Sequence, residues 1–196
     1  MKKNYTFKPH IPNNFGQSEL GRLLLVGDSH YILGGIKDLS NFTKGMIKEL
    51  GEYTPHKFYR EVGKVFNPEN YLEVYSKVAF VNAIQNGMES SDQKPNEEDF
   101  KTVEPAIREY LEEIKPDKMI VFSKRVWENG LPGDITWGRY IETIVDDSTN
   151  YKATVWQFNY TNGRCYGIGV YHPSYRRFSA EKMKSLLGIF FSKNYE

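Results

Sequence analysis

The hydrophobic pattern changes period several times along the chain, and each change marks an element. Residues 22–27 form a short apolar run ended by glycine, the pattern of a strand buried on both faces. Residues 78–82 repeat that pattern and end in Asn82; residues 118–123 repeat it again. Two further apolar runs, 153–158 and 166–171, flank Asn162-Gly163, a hairpin-type turn signal. Between the strands the spacing becomes helical. Val103, Ile107, Tyr110, Leu111 and Ile114 recur at helical intervals, predicting one long helix over 97–115 that Pro116-Asp117 breaks. Ser40 or Asn41 caps a predicted helix to about residue 50. Pro68 opens another to about Tyr75, because proline is tolerated at a first helical position. Residues 124–129, 137–145 and a final stretch from Ser179 or Ala180 to Ser192 complete the predicted helices, while 54–67 is basic and aromatic without an assigned element.

Strands alternating with helices predict an α/β layered domain with a mainly parallel sheet. No repeat, low-complexity tract or linker divides the chain, so residues 1–196 are expected to form one domain. Its first 20 residues, polar and holding Pro9 and Pro12, are expected to form an N-terminal arm.

Composition narrows the function classes. A net charge of +1 gives no global nucleic-acid signature, so any nucleic-acid contact must be local. Aromatics, at 15% of residues, are abundant; most are expected to fill the core and its rim, and some can stack on bases or sugars. One cysteine, Cys165, excludes an intramolecular disulfide and a cysteine-ligated cluster. The histidines are scattered without zinc-type spacing, and neither a P-loop nor a GxGxxG motif occurs, so no metal or cofactor is expected. No apolar stretch is long enough for a membrane span and the N-terminus lacks a signal-type apolar region, so a cytoplasmic monomer is expected.

Candidate chemistry gathers where the apolar runs stop. Gly27-Asp28-Ser29-His30-Tyr31 offers a base, a hydroxyl and an imidazole within five residues; the alternative is a polar turn satisfying its own backbone. His172-Pro173-Ser174 holds a histidine extended at another strand end. In an open α/β sheet ligands bind beyond the carboxyl ends of parallel strands, which puts Asp28 and His172 over a common crevice. Asn82, at a third strand end, can donate and accept together, which suits a nucleobase edge. Phe42 and Tyr31 can stack a planar ligand, and Arg176 and Arg177, beside Tyr175 and Phe178, can hold phosphates.

In this order and spacing, from about Arg22 to Phe191, the blocks resemble the uracil-DNA glycosylase superfamily. The run 23–31 resembles its water-activating motif, 78–82 its base-reading strand, 111–122 its helix–proline–strand block and 170–175 its histidine motif. The resemblance implies a three-layer α/β/α sandwich and hydrolysis of the N-glycosidic bond of uracil or another damaged base in DNA, without a cofactor. It implies that Asp28 orients water, at a position acidic in one branch (in another the acid falls one place later, where this chain has Ser29), and that His172 stabilises the departing base. It further implies that Asn82 reads the base, Phe42 stacks on it, and Tyr31, with His30 beside it, shapes the pocket. Ser174, Tyr175, Arg176 and Arg177 would lie along the DNA. The chain departs from the family pattern at His30, where proline is usual, and at Ser123, where glycine is usual.

Two alternatives use the same residues. Gly27-Asp28-Ser29 also resembles the nucleophile block of SGNH-type esterases and acyltransferases, with Ser29 attacking and His172 as base. That family expects an aspartate three residues before the histidine, and this chain has Gly169 there. The other alternative is a nucleotide- or DNA-binding module without turnover.

Overall fold

A computed structural model of the chain describes residues 3–32, 38–52, 56–90, 92–131 and 137–195. Their elements are β1 (Leu23–Gly27), α1 (Phe42–Glu49), α2 (Lys57–Phe66), β2 (Ala79–Asn82), α3 (Glu97–Lys101), α4 (Val103–Ile114), β3 (Lys118–Val121), α5 (Lys124–Gly130), β4 (Gly138–Asp146), β5 (Tyr151–Tyr160), β6 (Gly163–Gly169) and α6 (Ala180–Ser192). The described strands form one sheet in the order β2-β1-β3-β6-β5-β4. β2, β1, β3 and β6 run parallel, and β5 and β4 are added antiparallel. The architecture is α/β with a mixed, mostly parallel sheet.

The continuous apolar runs are explained by burial on both faces. Leu23 and Leu25 of β1 join one cluster with α1, α2 and α6, while Leu24 and Val26 join a second with α4 and α5. All four side chains are fully buried. Each contributes roughly 2 kcal/mol by removal from water. An exposed ion pair such as Lys101–Glu98 is worth under about 1 kcal/mol, so apolar patterning, not surface charge, decides the layering.

In α4, Val103, Ala106, Ile107, Tyr110, Leu111 and Ile114 are buried, the helical stripe read from the sequence. The expected 97–115 helix is interrupted at Thr102, which closes α3 and opens α4. Pro105 has no N–H to offer the carbonyl one turn back, so a new first turn starts there. Lys115 ends α4 in the left-handed region, at φ 52, and Pro116 follows.

Three other expectations are corrected. Residues 137–145, expected to be helical, lie mainly in strand β4. Its register shifts between Tyr140 and Glu142, and such a bulge resets the two-residue alternation, so Ile141, Ile144 and Val145 fall at helix-like intervals. The segment 54–67, left without an element, contains α2, which buries Phe58, Tyr59, Val62, Gly63 and Val65. The helix expected from Pro68 is a short 3-10 turn at Glu73–Ser76. Asn67 Oδ1 instead accepts from the N–H groups of Glu69 and Asn70, at 3.2 and 3.0 Å, and folds the chain into a turn.

The N-terminal arm is anchored. His10 and Phe80 exchange backbone hydrogen bonds of 2.9 Å in both directions, which covers the β2 edge of the sheet. Phe7 is fully buried, and its carbonyl accepts from the Tyr110 hydroxyl at 2.5 Å. No described helix is long and apolar enough to cross a membrane.

Candidate functional site

Strand register brings the chemistry to one edge. Gly27 pairs with Asn82, Val26 with Val121, and Val121 with Gly169. The residues just beyond these pairs therefore emerge side by side at the carboxyl ends of four parallel strands. β1 has β2 on one side and β3 on the other, and a strand-order reversal of this kind opens a crevice. A cleft of about 640 Å³ lies there, lined by Asp28, Asn82 and His172 together with Ser29, His30, Tyr31 and Phe42.

Asp28 is the most constrained of these groups. Its carboxylate is 5% exposed and accepts three charge-assisted hydrogen bonds. Ser123 Oγ donates to Oδ2 at 2.6 Å, Arg125 Nε to Oδ2 at 2.8 Å, and Arg125 Nη2 to Oδ1 at 2.8 Å. Oδ2 is fully used and Oδ1 keeps one lone pair free. Burial works against the Arg125 charge, but the hydrogen bonds and charge of Asp28 outweigh it and hold the guanidinium above its ordinary range.

His172 faces the same cleft with its ring against Phe58, centroids 5.3 Å apart. Its Nδ1 accepts from the Ser174 backbone N–H at 3.1 Å and lies 2.7 Å from Ser174 Oγ. A backbone N–H only donates, so the neutral ring carries its proton on Nε2. Burial, opposed in part by the Asp28 charge, lowers the His172 pKa to about 4. The imidazole is thus neutral near pH 7, with Nε2–H as its donor.

Asn82 is 4% exposed, and its side-chain amide has no hydrogen-bond partner among the described residues. It lies over Gly27, where an added Cβ would come 2.0 Å from Asn82 Oδ1. Only glycine at position 27 allows this approach. The amide lines the open cleft and is not among the fully buried unpartnered polar atoms, so solvent or a ligand in the cleft satisfies it.

The other expected residues fall into two groups. Phe42 and Tyr31 line the cleft, and burial, helped by the Asp28 charge, raises the Tyr31 pKa. His30 is 3% exposed, donates to or accepts from Thr43 Oγ1 at 2.8 Å, and packs edge-on against Phe7 and Phe42. Burial lowers its pKa to about 3, so its ring supports Phe42 from behind. Ser29 lines the cleft, with no hydrogen bond to its hydroxyl among the described residues. Ser174, Tyr175, Arg176 and Arg177 are exposed on the turn after His172 and do not line the cleft. Tyr175 stacks on Tyr171, and the Arg177 carbonyl accepts from the Tyr151 hydroxyl. The Gly34-Gly35 pair that follows Tyr31 in the sequence lies outside the described residues.

Sequence reading missed Arg125 and Phe58. Phe58 sits in the aromatic, basic segment 54–67, whose composition was its only local signal. Arg125 carries none, because Asp28 is 97 residues away. Among the described residues no cluster of histidine, cysteine and acidic side chains is arranged to hold a metal ion. In comparison with known proteins, the chain matches no family model and no curated protein.

Proposed function

We propose that the cleft receives a nucleobase extruded from DNA and hydrolyses its N-glycosidic bond, on a uracil-DNA glycosylase-like fold. The observation that carries this reading is the cleft-facing Asn82 amide, without a hydrogen-bond partner among the described residues, sharing a cleft with Phe42 and His172. A planar heterocycle with adjacent donor and acceptor edges satisfies that amide, and Phe42 supplies a stacking face. The His172 Nε2–H donates to a carbonyl oxygen of the base, where negative charge grows as the bond breaks. The free lone pair of Asp28 Oδ1 orients a water toward the sugar carbon. The water oxygen bonds to that carbon, the C–N electron pair leaves with the base, and the water proton passes to the carboxylate or to solvent.

The neutral state of His172 favours this reading, because a buried neutral donor stabilises an anionic leaving group without first carrying a charge. The Ser29 esterase reading has less support: His172 Nδ1 is taken by Ser174. Binding without turnover is favoured by one observation, the three donors already committed to Asp28.

The test is incubation with single- and double-stranded oligonucleotides carrying uracil, hypoxanthine or a mismatch, followed by alkali cleavage at abasic sites. Asp28→Asn should lower the rate by at least about a hundredfold while leaving binding intact. Binding with no abasic product from any of these substrates selects the non-catalytic reading.

A further inference from the structure

Arg125, which holds Asp28, has a second function open to it. A guanidinium presents five N–H donors in a planar fork and can grip an anion along either of two edges. Asp28 occupies the side-on edge, through Nε and Nη2 at 2.8 Å each. The end-on edge, made of Nη1 and the outer hydrogen of Nη2, has no partner among the described residues. The Arg125 side chain is 43% exposed whereas that of Asp28 is 5% exposed, so the fork is anchored at its buried edge and open at its outer one. Anchoring lowers the entropy cost of binding an anion there, because the rotamer is already fixed. The neighbouring residue adds charge: Lys124 Nζ lies 4.6 Å from the Tyr171 ring centroid, immediately before His172. Lys124 forms no ion pair among the described residues. Lys124 itself lines a neighbouring hollow with Glu128, and Glu49 lines the cleft, so the open edge of Arg125, not a net positive rim, is the feature that fits an anion.

We propose that the open edge of Arg125 binds a backbone phosphate of the substrate strand, next to the nucleotide whose base enters the cleft. This inference rests on the nucleobase reading above for the ligand in the cleft. It makes the substrate a nucleotide within a chain rather than a free nucleoside. One guanidinium then touches both the phosphate and the water-orienting carboxylate, so seating the strand also steadies Asp28. Arg125 is in this sense a binding residue for the phosphate and a positioning residue for the carboxylate.

The experiment uses the whole chain and a fluorescein-labelled single strand containing one uracil. The strand is made with all phosphodiesters, or with one neutral methylphosphonate immediately 5′ or 3′ of the uracil. Affinity is read by anisotropy for the unaltered protein, Arg125→Gln and Arg125→Lys. The lysine keeps a cation against Asp28, guarding against loss of the fold, but has no end-on edge. One of the two methylphosphonates should weaken binding to the unaltered protein about tenfold and change binding to Arg125→Gln by less than about twofold, with Arg125→Lys, a point charge without the fork, falling between them. Equal losses in all three proteins, losses at neither position, or no binding of any strand overturns the phosphate site. Abasic product is assayed on the same strands, which separates the two ideas. Coupling without product keeps the phosphate site and removes base excision; product without coupling does the reverse.

Discussion

Ser123 uses both functions of one hydroxyl. It donates to Asp28 Oδ2 at 2.6 Å and accepts from the Val126 N–H at 3.3 Å, capping α5. Glycine, the residue the family resemblance places here, can do neither. Ser123→Ala removes a hydrogen bond to a buried charge and a helix cap, an expected loss of about 2–4 kcal/mol in the urea unfolding free energy. A loss below about 0.5 kcal/mol would mean that Arg125 alone satisfies the carboxylate. At this scale the sequence was readable where chemistry follows directly on a strand. Asp28, Asn82 and His172 all stand where an apolar run stops, and the structure puts all three in one cleft. Arg125 and Ser123 were not readable as partners of Asp28, because their contacts cross 97 and 95 residues of chain and no local period records such a contact.

Helix α4 shows how an element can be correct in type and strained at its end. Lys115 takes φ 52 and ψ 55, a region that costs a side chain about 1 kcal/mol and glycine almost nothing. The Arg22 side chain binds the Lys115 and Ile114 carbonyls, contacts that a substitution at 115 leaves in place. Lys115→Gly is therefore expected to raise the melting temperature by about 2–4 °C, measured by differential scanning calorimetry. An unchanged or lowered midpoint would show that the lysine side chain contributes more than its backbone costs. The parallel strands were legible because burial on two faces leaves no polar position to confuse the period. β4 was not: it lies at the sheet edge, with Tyr140 and Val145 exposed, and its bulge mimics helical spacing. α2 was obscured because its buried stripe is interleaved with Lys57, Arg60, Glu61 and Lys64.

Three imidazoles whose pKa burial lowers, His10, His30 and His172, shape the acid side of the molecule's stability. Burial lowers His30 to about 3 and His172 to about 4, against 6.5 for an unperturbed ring. Below about pH 6.5 the unfolded chain binds protons at these rings that the folded chain does not bind, so stability is full above that pH and falls toward pH 4. His30 alone gives a slope of about 1.4 kcal/mol per pH unit. His172, which solvent reaches in part, adds less in the same direction. Urea midpoints measured from pH 7 to 4.5 should fall steadily, and His30→Gln, which cannot titrate, should make the slope shallower without abolishing it. A flat profile in the unaltered protein would contradict the burial of these rings. The arm adds a different kind of dependence. Phe7 packs edge-on against His30, which carries Phe42, and the Phe7 carbonyl is bonded to Tyr110, 103 residues further on. During synthesis the stacking wall of the cleft therefore stays incomplete until the chain through α4 has emerged and the arm has folded back onto it. The cleft's stacking wall thus depends on a segment far from it in sequence, and loss of the arm is expected to loosen Phe42.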